Sequence, residues 1–215
     1  MAVRPVFVPA ESAPYIQACM TEFTWHSGLS AVQKRRSLAS LHESFLVAEP
    51  RRRILEISSK SLQPLGVRMS AFSLRKFVPS LGASIPVECA FQGGKVFGLG
   101  GPYTDLYAAS PRDAKRDPRL KESGMLTGFY YEGRHISPIP RTAFYNWLYV
   151  NALFENEEIA AQVLEYDAFT DIEFNPQKSV NCQAEAAALF VSLSRLGKIE
   201  ACRDYEQFVR LIEGK

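Results

Sequence analysis

The chain has 215 residues, of which 47% are hydrophobic, 12% aromatic and 22% charged. That composition excludes disordered, fibrous and disulfide-dense classes and suits one compact domain. Its 25 Lys plus Arg against 23 Asp plus Glu leave a formal charge of +2, too near balance for a protein that coats nucleic acid by charge alone, while a local basic patch stays open.

Taken in chain order, residues 12–20 are predicted to open a helix, with Ser12 as cap and Pro14 in the first turn. Residues 30–47 also read as helix. After Arg51 to Arg53, the alternation of Ile54, Glu56 and Ser58 with apolar or small residues predicts a short strand, with Val67 to Phe72 as its partner. Residues 87–97 favour a helix despite Gly93 and Gly94. Residues 110–117 carry a clear start signal, Ser110 as cap, Pro111 first and Asp113 near the third position, with Pro118 as the stop. Met125 to Tyr131 reads as a strand ended by Glu132 and Gly133. Thr142 to Glu165 reads as one broken helix or two helices meeting near Asn156, apolar all round and therefore central. A turn through Asn175, Pro176 and Lys178 leads to a buried helix from Asn181 to Leu196, ended by Gly197. Tyr205, Phe208, Val209 and Ile212 form the stripe of a last amphipathic helix capped by Asp204. The expected class is α+β, mainly helical, with a few short strands.

The longest apolar stretch, Ala186 to Leu193, is broken by Ser192 and falls far short of the ~20 residues that span a bilayer. The start, MAVRPVFVPAES, lacks the apolar run of a secretory signal, so a cytoplasmic protein without membrane contact is expected. Cysteines at 19, 89, 182 and 202 form no CxxC pair, and His26, His42 and His135 form no HExxH. No metal site or cofactor is predicted, and the thiols are expected to be reduced and mostly buried. No GxSxG elbow supports a serine triad.

The most informative window is VECAFQGGKVFGLGGPYTDLY, starting at Val87. On a helix Glu88, Gln92 and Lys95 fall within about 60° of one another, so carboxylate, amide and amine share a face. The trio is either a solvated face with a weak ion pair or part of a site. The glycines that follow fail GxGxxG and GK[ST], which speaks against a nucleotide P-loop, although a bare backbone turn can still meet an anion. A second cluster alternates Asp167, Asp171 and Glu173 with Phe169, Ile172 and Phe174 before a buried helix. Its carboxylates either form a solvated acidic turn or have shifted pKa values and serve a reaction. A third feature is basic: Lys34 to Arg36, Arg51 to Arg53, and Lys115, Arg116, Arg119 and Lys121. With Phe129, Tyr130 and Tyr131 it could supply phosphate contacts and stacking surfaces.

At these residues the sequence resembles the NADAR (YbiA-like) superfamily. An SxF element matches Ser70, Ala71 and Phe72, a vEhaFQaqK helix matches Val87 to Lys95, and an SPxeAKrxgR segment matches Ser110 to Arg119. A DAyW-like turn and the approach to the last long helix match Asp167 to Gln183. The resemblance covers residues 54–197 and leaves 1–53 as an N-terminal extension packed on that core. ILEISSKS from Ile54, GGPYTDLY from Gly100 and the FTDIEFNP run are similar to the NADAR branch encoded beside DarT-type DNA ADP-ribosyltransferase toxins, which acts as antitoxin. Cys89 stands where the family usually has His, and Phe169 and Thr170 replace the YW of the turn.

The resemblance implies hydrolysis of an N-glycosidic bond, with ADP-ribose removed from the amino group of guanine in DNA. The implied partners are ADP-ribosylated, single-stranded DNA, ADP-ribose and a cognate ADP-ribosyltransferase toxin. Cleaving an anomeric C–N bond builds positive charge on the ribose, so one carboxylate stabilises it and a second activates water or protonates the leaving nitrogen. Glu88 and Asp167 are the candidates, expected to converge across one cleft. A lysine of lowered pKa could instead attack the anomeric carbon and form a Schiff base, with Lys60 and Lys95 as the two possibilities. Gln92 would position ribose or water, and Gly100 and Gly101 would let the backbone approach the diphosphate. Ser70, Phe72, Tyr103, Asp105, Asp171 and Asn181 complete the expected substrate contacts. Two other functions stay open: an N-glycosidase of riboflavin-pathway intermediates, and a non-catalytic protein that binds the toxin or ADP-ribose.

Overall fold

The computed structural model describes residues 1–215 other than Leu29 and Lys178. The chain opens with a hairpin of β1 (Ala2–Pro9) and β2 (Ile16–Phe23), paired antiparallel from Ala2↔Phe23 to Pro9↔Ile16. The helix expected over 12–20 is therefore a turn followed by a strand: Tyr15 N donates to Ser12 O at 2.7 Å and Ala10 N to Tyr15 O at 3.0 Å. Full-length pairing with β1 outweighs the local Ser-x-Pro start signal. Helix α1 (Ala31–Ala48) follows, with the Ser30 hydroxyl accepting from Gln33 N.

The strand expected near 54 is β3 (Ile54–Glu56), buried along its whole length. Its neighbour is β9 (Ala168–Thr170), parallel and in register from Ile54↔Ala168 to Glu56↔Thr170. Val67 to Phe72 is not its partner. Pro64 starts a short helix, α2 (Pro64–Arg68), from the first helical position, where a proline loses nothing. The main sheet thus runs β2-β1-β9-β3. Alternation along β1 divides the interior: Val6 and Val8 face α1 with Leu38, Leu41 and Phe45, while Phe7 faces the larger core on the other side.

A second hairpin, β4 (Arg75–Val78) with β5 (Ala83–Pro86), leads into α3 (Val87–Gly93), all of whose residues are buried. The predicted helix over 87–97 stops there, and β6 (Lys95–Phe97) begins. Gly94 O accepts from Tyr130 N at 2.7 Å, and a side chain at Gly93 would strike the Tyr107 ring. Strand pairing and this close approach end the helix. Next come α4 (Pro111–Arg116), capped by Ser110 as expected, and α5 (Arg119–Glu122). β7 (Leu126–Tyr131) and β8 (Arg134–Ile136) complete a sheet in the order β6-β7-β8, turning through Glu132 and Gly133 at positive φ.

The predicted break at Asn156 separates α6 (Ala143–Phe154) from α7 (Glu157–Val163). Helix α6 packs on α8 (Gln183–Arg195), which in turn lies against β1 and β9. Ala184, Ala186, Ala187 and Ala188 are fully buried, which is why this helix is alanine-rich. Helix α9 (Tyr205–Ile212) closes the chain, with Asp204 accepting from Gln207 N at 2.9 Å. The result is an α+β domain in which the helices hold more residues than the short strands.

Candidate functional site

A cavity of about 360 Å³ opens where α3, β6, α4 and α6 meet the loop that links β9 to α8. Its size lies near the lower end of the ~300–1,000 Å³ typical of ligand sites. Glu88 stands in the first turn of α3, where the helix dipole favours a carboxylate. Its backbone N–H donates to Ala71 O at 3.0 Å, which fastens the helix start to the loop carrying Ser70, Ala71 and Phe72. Glu88 is 5% exposed. Its Oε1 accepts from Gln92 Nε2 at 2.8 Å and lies 3.9 Å from Lys115 Nζ.

Lys95 also lines the cavity, from β6 rather than from the helix. Its ammonium sits 4.7 Å from the centre of the Phe91 ring, and burial pushes its pKa down to about 8, against the pull of Glu88. Tyr145, from α6, contributes a phenol whose pKa burial raises well above the ordinary value, so it stays protonated and can donate. Two acceptors in the lining have no partner among the described residues: Gln92 Oε1 and Asn181 Oδ1. Buried polar atoms are rarely left unmatched, and two orphaned acceptors in one cavity suit a ligand that brings hydroxyl or amino donors.

The opposite wall hangs on Glu56 and Asp171. Asp171 faces the cavity, its Oδ2 accepting from Gln183 Nε2 at 3.0 Å and its Oδ1 from Glu173 N at 3.0 Å. Gln183 also accepts from Ala71 N at 2.7 Å and donates to Ile57 O at 2.6 Å, so one amide ties three chain segments together. Behind it, Glu56 accepts from Ser58 Oγ at 2.6 Å, Thr170 Oγ1 at 2.7 Å and Ile172 N at 2.9 Å. The Thr170 oxygen is also 2.8 Å from His42 Nε2. Burial, then the Asp171 charge, raises the Glu56 carboxyl well above the carboxylate range despite these donors. Burial also raises Asp171, and it lowers His42 to about 4.

Of the residues expected from sequence, Ser70, Phe72, Glu88, Gln92, Lys95, Asp171 and Asn181 come together around this cavity. Asp167 does not join them. It precedes β9, accepts from Arg53 N at 3.2 Å and pairs with Arg195 at 3.2 Å. The expected convergence of Glu88 and Asp167 is therefore corrected: Asp171 and Glu173, four and six positions on, are the carboxylates of this acidic run that line the cavity with Glu88. Lys60 is also outside the lining, its Nζ donating to Ser59 Oγ at 2.9 Å.

Gly100, Gly101, Tyr103 and Asp105 do not line the cavity either. Gly101, at φ +85°, packs against the Lys95 carbonyl, Tyr103 is hydrogen-bonded to Ser123, and Asp105 is held by Arg119 at 2.6 Å. This segment buttresses the back of β6. Helix α8 starts at Gln183, after Asn181, and Lys178 of the expected turn lies outside the described residues. Sequence reasoning assigned no role to Tyr145, Gln183 or Glu56. A carboxylate enclosed by Ile54, Leu55 and Ile57 was the available signal for Glu56. Lys115 had shown only within a basic run and the SPxxAK-like segment, with no role of its own.

The family model for DarT1-associated NADAR antitoxins matches residues 2–215. The chain belongs to that family. The match runs through the β1–β2 hairpin and α1, which the motif resemblance had left outside its core. Membership places this antitoxin in the NADAR superfamily, and the family's description associates it with the DarT1 toxin. No curated protein matches the chain. Among the described residues no helix is long and apolar enough to cross a membrane, and no cluster of His, Cys, Asp and Glu could hold a metal ion.

Proposed function

We propose that this NADAR antitoxin is an ADP-ribosyl-guanine glycohydrolase that removes from DNA the adduct left by an ADP-ribosyltransferase toxin. The observation that carries the reading is the enclosure of Glu88 and Lys95 in one cavity, a buried carboxylate beside an amine whose pKa has fallen to about 8. An amine of pKa about 8 is unprotonated in roughly a tenth of molecules at pH 7, far more than the ordinary lysine of pKa ~10.4, and that fraction can act as a nucleophile.

Chemically, the ribose ring opens between C1″ and its ring oxygen. That oxygen takes a proton, and C1″ is left as an imine to the guanine nitrogen. Lys95 Nζ adds to C1″, the guanine amine departs with a proton, and water hydrolyses the lysine imine to return free ADP-ribose. One water is consumed overall. Positive charge gathers at C1″ during both halves, and Glu88 is the group positioned to stabilise it. Gln92 Oε1 and Asn181 Oδ1 accept from ribose hydroxyls, Tyr145 donates, and Phe72, 38% exposed at the rim, offers the base a stacking surface. Lys115 meets the diphosphate. Asp171 serves as the second carboxylate, guiding water.

The test is release of ADP-ribose from guanine-ADP-ribosylated single-stranded DNA by the purified protein. Wild type should release it and a folded Glu88→Gln variant should not; a folded wild type without release contradicts the reading. If Glu88→Gln still neutralised the toxin in cells, sequestration of the toxin would replace hydrolysis.

A further inference from the structure

Next to the cavity, a strip of surface carries four cations, three of which form no ion pair among the described residues. On α4, Arg112, Lys115 and Arg116 lie three or four positions apart or adjacent, so at 100° per residue they fall within about 100° of one another and share a face. Lys115 is on the cavity lining, and the same face carries Arg112 and Arg116 outward from it. Both are exposed, as is Lys121 on α5, and none of the three forms an ion pair among the described residues. The carboxylates nearby are engaged: Asp113 accepts from Ser110 Oγ at 2.6 Å, while Asp105 and Asp117 hold Arg119 at 2.6 and 2.9 Å. Asp113 and Glu122 are exposed and form no ion pair among the described residues.

Helix α5 runs directly into a second feature. Two loop tips are joined by Gly98 N donating to Met125 O and Leu99 N donating to Ser123 O, each at 3.0 Å. They hold out Leu99 and Met125, 82% and 80% exposed. A single exposed apolar side chain needs no explanation, but here two large ones adjoin at the end of a cationic strip. Leu99 is four residues from Lys95, hence no more than about 13 Å away at ~3.3 Å per residue. At the cavity rim the Lys115 ammonium lies 5.4 Å from the centre of the Phe72 ring. Unpaired cations beside exposed apolar and aromatic faces suit a polymer that alternates anions with flat apolar groups, namely a nucleic-acid strand.

We infer that the DNA strand bearing the substrate leaves the cavity across α4 and α5, with phosphates on Arg112, Arg116 and Lys121 and a flanking base packed on Leu99 and Met125. The inference rests on the glycohydrolase reading and adds to it: this surface makes the enzyme prefer the adduct in a strand over the same adduct on a free nucleoside. An apolar wedge against a neighbouring base helps hold the modified guanine out of its stack.

The experiment uses the full chain and two substrates, an ADP-ribosylated oligodeoxynucleotide and ADP-ribosyl-guanosine, alongside anisotropy binding of an unmodified fluorescent oligothymidylate at several salt concentrations. An Arg116→Ala/Lys121→Ala variant should bind the oligothymidylate at least about tenfold more weakly. Its log–log salt slope should be shallower by about 1.4, that is ~0.7 for each lost contact with a single strand. KM should rise on the oligonucleotide while kcat/KM on the nucleoside stays at wild type. A Leu99→Ser/Met125→Ser variant should raise KM on the oligonucleotide without changing the salt slope. Oligothymidylate binding by the Arg116→Ala/Lys121→Ala variant equal to wild type overturns the inference, and so does tighter wild-type binding of oligouridylate. If wild type cleaves neither substrate but the variants lose binding as described, the glycohydrolase reading falls and the strand-binding surface stands.

Discussion

The two walls of the cavity are built in opposite ways. On one, Glu88, Gln92 and Lys95 come from a single helix–strand unit, and an intrahelical bond joins the first two at 2.8 Å. On the other, Asp171 keeps its place because Glu56 grips Thr170 and Ile172 through bonds that span 114 and 116 positions. The first wall carries the carboxylate and amine proposed to act on the substrate and is made of short-range order. The second is a scaffold of buried polar bonds in which every member depends on the parallel pairing of β3 with β9. Substitutions in the first wall should cost turnover with little stability, and substitutions in the second should cost both.

The largest effect expected is on the first wall. Glu88→Gln keeps volume and the bond to Gln92 but removes the charge opposite the anomeric centre, so kcat should fall by about 10²–10³, as for loss of a preorganised electrostatic group. The melting midpoint should stay within a few degrees. A smaller kinetic loss, or a large drop in midpoint, would erase the contrast between the walls. Next, Lys95→Arg keeps a cation and removes the amine that titrates near 8. Wild-type kcat should climb with pH up to about 8 as the amine deprotonates, and the residual activity of the variant, roughly 10²-fold lower, should lack that rise. Lys60→Ala should behave as wild type in the same profile.

On the scaffold wall, Glu56→Gln should lower kcat by about tenfold by loosening the segment that carries Asp171. It also has a pH signature. Because burial raises the Glu56 carboxyl in the folded state, the folded protein holds a proton that the unfolded chain has lost above ~4.3. That stabilisation is complete below the ordinary carboxylate range and disappears as pH rises through the raised folded value. Wild-type melting should therefore fall relative to Glu56→Gln between about pH 5 and pH 8, and thermal scans of both proteins across that range check the sign. The smallest effect is expected at Asp167→Asn. Its pair with Arg195 is partly exposed, so the cost is about 0–1 kcal/mol with turnover unchanged. A loss of turnover there would return Asp167 to the mechanism.

How much was legible beforehand follows the same division. Helical spacing over 88–95 pointed to Glu88, Gln92 and Lys95 as neighbours, and all three face the cavity, even though Lys95 does so from a strand. The Ser110 cap, the break at Asn156 and the last amphipathic helix were local signals and lie where they were expected. The hairpin of β1 and β2 was missed because Ser12 and Pro14 mimic a helix start, while the pairing that decides the matter is contributed by residues 2–9. The choice between Asp167 and Asp171 was likewise invisible. Both belong to one alternating acidic run, and only the placement of β9 beside β3 determines which carboxylate turns inward and which meets Arg195.

Reductive trapping tests the shared role of Glu88 and Lys95 most directly. Wild-type protein mixed with ADP-ribosyl-guanosine and borohydride should acquire a stable ADP-ribosyl adduct, mapped by mass spectrometry to the peptide containing Lys95, and turnover should stop as the adduct accumulates. An adduct on Lys60, or full turnover with no adduct on any lysine, would contradict the account.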